Sequence, residues 1–169
     1  RTVIQNPISS DRHHPFTIDS VNFIINEASP LLNDTLVYSQ TYNGTQYTAQ
    51  VPYYKPKVIN RRVFLHSGDL YSKKNTFDTQ RQLANFDVFK FININYDSTG
   101  GRFIANIFTQ PLPRYQWTNE FGINVSQGFP GPFYNTTFKK RNIFRGLENF
   151  EISGRVGMEG VAPATEADD

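Results

Sequence analysis

Tyr115-Gln116-Trp117-Thr118-Asn119-Glu120-Phe121-Gly122-Ile123-Asn124-Val125-Ser126 is the stretch that decides how this chain is read. Tyr115, Trp117, Phe121, Ile123 and Val125 take alternate positions, with Gln116, Thr118, Glu120, Gly122, Asn124 and Ser126 between them. Phe150–Glu159 echoes the pattern, setting Phe150, Ile152, Val156 and Met158 against Glu151, Ser153, Arg155, Gly157 and Glu159. A period of two places every second residue on one face of a β-strand. The polar rows carry too much charge for a core, and the apolar rows are too long for a small hairpin in water. About ten alternating residues with aromatics near one end is what a tilted strand of a membrane β-barrel needs. A strand of a soluble sandwich also alternates, so the flanking sequence has to separate the two.

Outward from this stretch, residues 1–14 are polar and aperiodic and read as a linker. Phe16–Ile25 reads as a strand, with Val21, Phe23 and Ile25 on one face and Phe16, Ile18 and Ile24 on the other. Leu36–Val51 reads as a hairpin turning at Asn43-Gly44, because that pair tolerates the positive φ of a tight hairpin turn. Pro56 suits the first turn of a helix that continues through Val58, Ile59, Arg62 and Val63. Gly68-Asp69 breaks that segment. Ser72 then caps a second helix running to about Phe86, which offers Phe77, Leu83, Ala84 and Phe86 to a sheet. Val88–Tyr96 and Arg102–Thr109 are strands joined by a loose turn over 97–101, and Pro111 and Pro113 end the unit.

This order predicts an α+β domain over 15–112, built as strand, inserted hairpin, helix, helix, strand, strand. Its expected form is a three-stranded sheet with both helices on one face. Over 113–160 three antiparallel strands are expected, at 115–127, 133–143 and 148–160, with turns at Gly128–Pro132 and Asn142–Leu147. Residues 161–169 are small and acidic and read as a loop or tail. A closed membrane barrel takes at least about eight strands, and the chain opens on Arg1 rather than Met; a processed or excised piece is therefore expected.

Two motifs carry a resemblance to a known family. Gly68-Asp69-Leu70-Tyr71-Ser72, then Thr79, Leu83 and Phe86-Asp87-Val88-Phe89-Lys90, resembles the helix–helix–strand heart of a POTRA domain. Asp87 stands where that pattern commonly has glycine. Lys140-Arg141-Asn142-Ile143-Phe144-Arg145-Gly146-Leu147-Glu148 is similar to the Asn-x-(aromatic or Leu)-x-Gly periplasmic turn of the BamA/TamA family. In that order, the two motifs resemble the last POTRA domain and the first barrel strands of such an outer-membrane assembly protein.

The resemblance implies a non-enzymatic factor of a Gram-negative outer membrane, with the POTRA-like domain in the periplasm. It implies unfolded outer-membrane proteins, outer-membrane lipid and accessory assembly subunits as partners. Clients would add as strands to an exposed edge. One such edge is Phe89, Phe91, Asn93, Asn95 and Tyr96. The other is a lateral-seam strand carrying Tyr115, Trp117, Phe121, Ile123 and Val125, with the periplasmic turn at Asn142, Phe144 and Gly146. Two alternatives stay open: a secretion or surface-protein export component of the same architecture, and a soluble carbohydrate-binding β module suggested by the Tyr and Trp residues.

The remaining chemistry is sparse. Without cysteine there is no disulfide framework and no thiolate metal site. His13, His14 and His66 lack a second ligand at metal spacing, and Asp69 reads as a turn or cap residue rather than a catalytic one. Gly100-Gly101 does not lead into a helix as a phosphate loop must. Catalytic residues, metal and cofactor are therefore all expected to be none. A net charge of +2, with no basic run longer than Lys139-Lys140-Arg141, argues against nucleic acid. Asn-x-Ser/Thr at Asn33, Asn43, Asn124 and Asn135 is what an Asn-, Ser- and Thr-rich composition produces by chance, so glycosylation is not expected.

Overall fold

The computed structural model describes residues 15–26, 38–98, 101–126 and 129–158. The linker, the Thr99-Gly100 part of the loose turn, Leu36-Val37 and the acidic tail lie outside them. The chain forms two compact units, residues 1–112 and 113–169.

In the first unit, strands β1 (Ser20–Ile25), β2 (Tyr38–Tyr42), β3 (Thr45–Ala49), β4 (Phe89–Asp97) and β5 (Ile104–Pro111) make one sheet in the order β2-β3-β1-β5-β4. β1 runs parallel to both β3 and β5, and the other pairings are antiparallel. The expected three-stranded sheet is thus a five-stranded one. The hairpin is not a separate insertion, since β3 aligns Tyr47 with Phe23 and Ala49 with Ile25 and so extends the buried face of β1. Asn43 and Gly44 turn it at φ 49° and 77°, the left-handed pair that matches strand twist. Pro111 also departs from expectation, because it is the last paired residue of β5 rather than a terminator beyond it.

Helices α1 (Pro56–Asn60) and α2 (Lys73–Ala84) cover one face. Tyr47 donates to Asn60 Oδ1 at 3.2 Å, and Tyr96 hydrogen-bonds Thr76. In register, Tyr47, Phe23, Ile107 and Ile94 form one row, and Val21, Ala105 and Tyr96 the next. Both helices therefore sit over the rows of Val21 and Phe23. The Ser72 hydroxyl caps α2 by accepting from the Asn75 N–H. The buried stripe of α2 is Thr79 and Leu83, whereas Phe77 is 59% exposed and Ala84 faces solvent. Thr79 is buried because its hydroxyl accepts the Phe64 N–H at 2.9 Å, so a polar side chain takes the inward place expected of Phe77. Asp87 adopts φ 50°, which explains why glycine suits that position. On the other face, Asn95, Asn106, Asn22 and Gln46 align as a row of amides across four strands, with Asn22 donating to Asn106 Oδ1 at 2.9 Å.

Burial raises the Tyr47 phenol well above its ordinary pKa, and burial also raises Tyr96, with the Thr76 bond partly offsetting it. A folded-state pKa above the unfolded one makes folding bind the proton more tightly. The resulting stability is present below about pH 10 and is lost as pH rises beyond it. Tyr47 alone should remove about 1.4 kcal/mol per pH unit above 10. A tyrosinate absorbance titration should show a delayed fraction that titrates together with loss of circular dichroism. A single transition of all tyrosines near pH 10 with the fold intact would refute this.

The second unit is a three-stranded antiparallel sheet, β6 (Tyr115–Ser126), β7 (Phe129–Arg141) and β8 (Asn149–Gly157), in that order. The expected turn at Gly128–Pro132 is shorter, because Phe129–Pro132 belong to β7, while Gln127 and Gly128 lie outside the described residues. The prolines are tolerated for a directional reason. Pro132 O accepts the Met158 N–H at 3.0 Å, so its backbone polar groups face the β8 side. Alternation gives Pro130 the same direction. The missing donors therefore point to the β8 side and leave the β6–β7 ladder whole.

Candidate functional site

Register collects the alternating residues of the second unit into one surface. Tyr115, Trp117, Asn119, Phe121, Ile123 and Val125 on β6 stand opposite Lys140, Phe138, Thr136, Tyr134, Pro132 and Pro130 on β7. Phe150, Ile152, Gly154 and Val156 of β8 complete the rows. These apolar side chains are solvent-facing, Phe121 at 85% exposure. From Tyr115 to Val125 is ten residue steps, about 33 Å along the strand, or about 25 Å after a 40° tilt. That is the height of the apolar band on an outer-membrane barrel. Lys140 is the one charged side chain in these rows, and it lies at the turn end.

One polar node interrupts the face. Asn119 Oδ1 accepts from the Trp117 indole (3.0 Å), the Tyr134 hydroxyl (2.8 Å) and the Thr136 hydroxyl (2.9 Å). Trp117 also donates to Thr136 at 2.8 Å. The four polar groups satisfy one another, which lowers the penalty of placing them against hydrocarbon. Sequence reasoning passed over Asn119, although its position on the apolar row was there to be read.

The opposite face is polar. Lys139 pairs with Glu151 at 3.4 Å, and Asn135 donates to Glu120 at 3.4 Å. Phe133 lies over Gly122, where an added Cβ would come within 2.9 Å of the ring, and Arg155 stacks on Phe133 at 4.3 Å. The aromatic ring fills the place of the missing glycine side chain and limits the close approach to Gly122. A shallow recess of about 430 Å³ beside it is lined by Asn124, Arg155, Gly157 and Met158.

The β7–β8 turn is built from the motif residues and three that the motif does not name. Asn142, at φ 56°, accepts the Leu147 N–H on its side-chain oxygen. Gly146 donates its N–H to the Glu148 carboxylate at 3.0 Å, and a Cβ there would collide with that carboxylate. Leu147 is buried, and Arg141 ties the turn to β6 through Pro113 O and Gln116 Oε1. Phe144 projects outward at 70% exposure.

Backbone direction identifies which strand edges are open. Arg141 N donates to Arg114 O, so even-numbered β6 residues bond β7 and odd-numbered ones, Tyr115 to Val125, present N–H and C=O to the free side. Tyr115, Trp117, Phe121, Ile123 and Val125, assigned from the sequence to a lateral seam, thus combine the apolar face with the edge of the three-stranded sheet. On β4 the sequence-assigned residues divide. A bulge at Lys90 shifts the register, after which Phe91, Asn93 and Asn95 pair toward β5 and point their side chains to the helix-free face. Ile92, Ile94 and Tyr96 carry the outward backbone groups, and Gln80 of α2 already bonds the Ile92 carbonyl at 3.2 Å. Phe89 is buried against Phe23 and Tyr54. His66 and Asp69 form a local turn, the Asp69 carboxylate accepting the His66 N–H at 3.2 Å.

No protein-family model and no curated protein matches the sequence. Among solved structures, the chain is similar to CdiB from Acinetobacter baumannii, at 10% identity and a TM-score of 0.47, over 93% of this chain and 42% of that one. It is also similar to BamA from Haemophilus ducreyi lacking POTRA domains 1–3, at 10% identity and a TM-score of 0.40, over 72% of this chain and 26% of that one. The chain thus spans less than half the length of either. At these values neither likeness bears on function, which is read from the chain's own geometry.

Proposed function

We propose that this chain is part of an outer-membrane β-barrel protein, carrying its last POTRA-like periplasmic domain and its first three barrel strands. We further propose that it is non-enzymatic and helps insert other β-barrel proteins by adding client strands to β6. The observation that carries this reading is the β6–β8 face, about 25 Å tall, exposed, and charged only at its turn end. The strand–helix–helix–strand–strand order of the first unit, less its hairpin, supports the POTRA-like assignment. Strand addition supplies its own driving force, because each backbone group left unpaired in lipid costs several kcal/mol.

The Trp117–Asn119–Tyr134–Thr136 node favours a second reading, a soluble carbohydrate-binding sheet, since aromatic rings beside amides suit sugars. Edge chemistry tests the first. Ile123→Pro removes an N–H from the free side of β6 and leaves the β7 ladder intact. In detergent micelles, capture of an outer-membrane β-strand peptide should weaken about tenfold or more. Asn124→Pro, which strikes the β7 side, should instead unfold the hairpin. Unchanged capture by Ile123→Pro would exclude β6 as the receiving edge.

A further inference from the structure

We propose that the turn end of the second unit binds the phosphate of a membrane glycerophospholipid between Arg114 and Lys140. The proposal rests on the membrane reading above and adds a site to it. Lys140 stands in register between Tyr115 and Phe150, so its strand position is flanked by an aromatic residue on each neighbouring strand. Its Nζ lies 5.6 Å from the centre of the Tyr115 ring, and the Arg114 guanidinium lies 5.8 Å from the same centre. Each cation is thus within reach of the same ring, whose quadrupole attracts it.

The acids that would neutralise them are engaged elsewhere. Glu148 accepts the Gly146 N–H, and Glu151 pairs with Lys139 on the opposite face. Neither Arg114 nor Lys140 has a carboxylate partner among the described residues. Two such cations at the rim of an apolar surface are open to an anionic ligand. A phosphodiester fits Arg114 through paired N–H donors and Lys140 as a point charge. What selects a lipid over a free anion is the adjoining surface, because Phe138 and Ile152 continue directly from Lys140 and accept acyl chains. The lysine stem then lies along the hydrocarbon boundary with its charge in the headgroup layer.

The test uses the full chain in maltoside micelles, which contain no phosphate, with retained lipid read by native mass spectrometry. Phosphatidylglycerol should be retained, and diacylglycerol, which lacks the phosphate, should not. Arg114→Gln with Lys140→Gln should weaken retention roughly 30-fold, and Lys140→Met alone roughly fivefold. Lys139→Gln, on the other face, should leave it unchanged. The single Lys140→Met change carries the test if circular dichroism shows the double variant misfolded. Retention of diacylglycerol equal to phosphatidylglycerol, or undiminished binding by the folded variants, would overturn the site. Displacement by inorganic phosphate at equal concentration would make it a free-anion site and overturn the lipid assignment. Failure here, with Phe121→Arg still destabilising in bilayers, removes this site alone; failure of both removes the membrane reading.

Discussion

Phe121→Arg is expected to cost about 2–4 kcal/mol of folding free energy in a bilayer and to leave a water-soluble fold within about 0.5 kcal/mol of wild type. Phe121 lies near the middle of the Tyr115–Val125 span, opposite Tyr134, and is the most exposed large apolar side chain among the described residues. In water, an arginine there simply extends into solvent. In a bilayer it must either desolvate a guanidinium or drag water inward, and both raise the free energy of the folded state. Urea unfolding of vesicle-folded protein, followed by the emission of Trp117, the single tryptophan, measures the difference. A change under 0.5 kcal/mol in vesicles would return the sheet to the soluble carbohydrate-binding reading.

The larger loss is expected in the first unit. Phe23→Ala should destabilise it by about 3–5 kcal/mol. Phe23 is fully buried on the central strand, with Tyr47 at 5.7 Å on one side and Phe89 at 6.2 Å on the other. Its neighbours belong to β3 and to β4, whose backbones are fixed by pairing, so the cavity has little freedom to collapse. The measurement is chemical denaturation of the isolated 1–112 unit, provided wild-type 1–112 itself unfolds cooperatively. A loss below 1 kcal/mol would mean the core rearranges around the missing ring. Ile24→Ala, on the helix-free face of the same strand, should cost distinctly less.

Local features were legible in the sequence, and features set by distant pairing were not. Asn43-Gly44, the Ser72 cap and the alternation of β6 and β8 depend on a few adjacent residues, and each appears where its chemistry placed it. The parallel docking of β3 on β1 depends on a surface that exists only once the sheet has formed, so the hairpin looked like an insertion. Phe77 looked like a core residue because its hydrophobicity is visible in the sequence, while the bond that draws Thr79 inward, from Phe64 N–H, is not. The edge on β4 turned on one bulge residue, Lys90, which reverses the facing of every backbone group after it. Pro130 and Pro132 resembled a turn because proline breaks ladders in general; only the Met158 N–H to Pro132 O bond shows that the missing donors face away from β6.

The two units should also assemble on different clocks. β6, β7 and β8 pair each with its nearest neighbour in the chain, so their sheet can grow hairpin by hairpin with short loops to close. The first unit has no such route, because β1 must lie between β3 and β5, joining Phe23 to Ile107 across most of its length. That closure carries the larger entropy loss before any contact rewards it. The β2–β3 and β4–β5 hairpins are therefore expected to form early, each with one apolar-faced edge bare, and β1 to enter last as the strand that joins them. Until it does, the edge of β5 accepts any strand in its vicinity, and the time spent in that state sets how readily the chain misassembles with copies of itself.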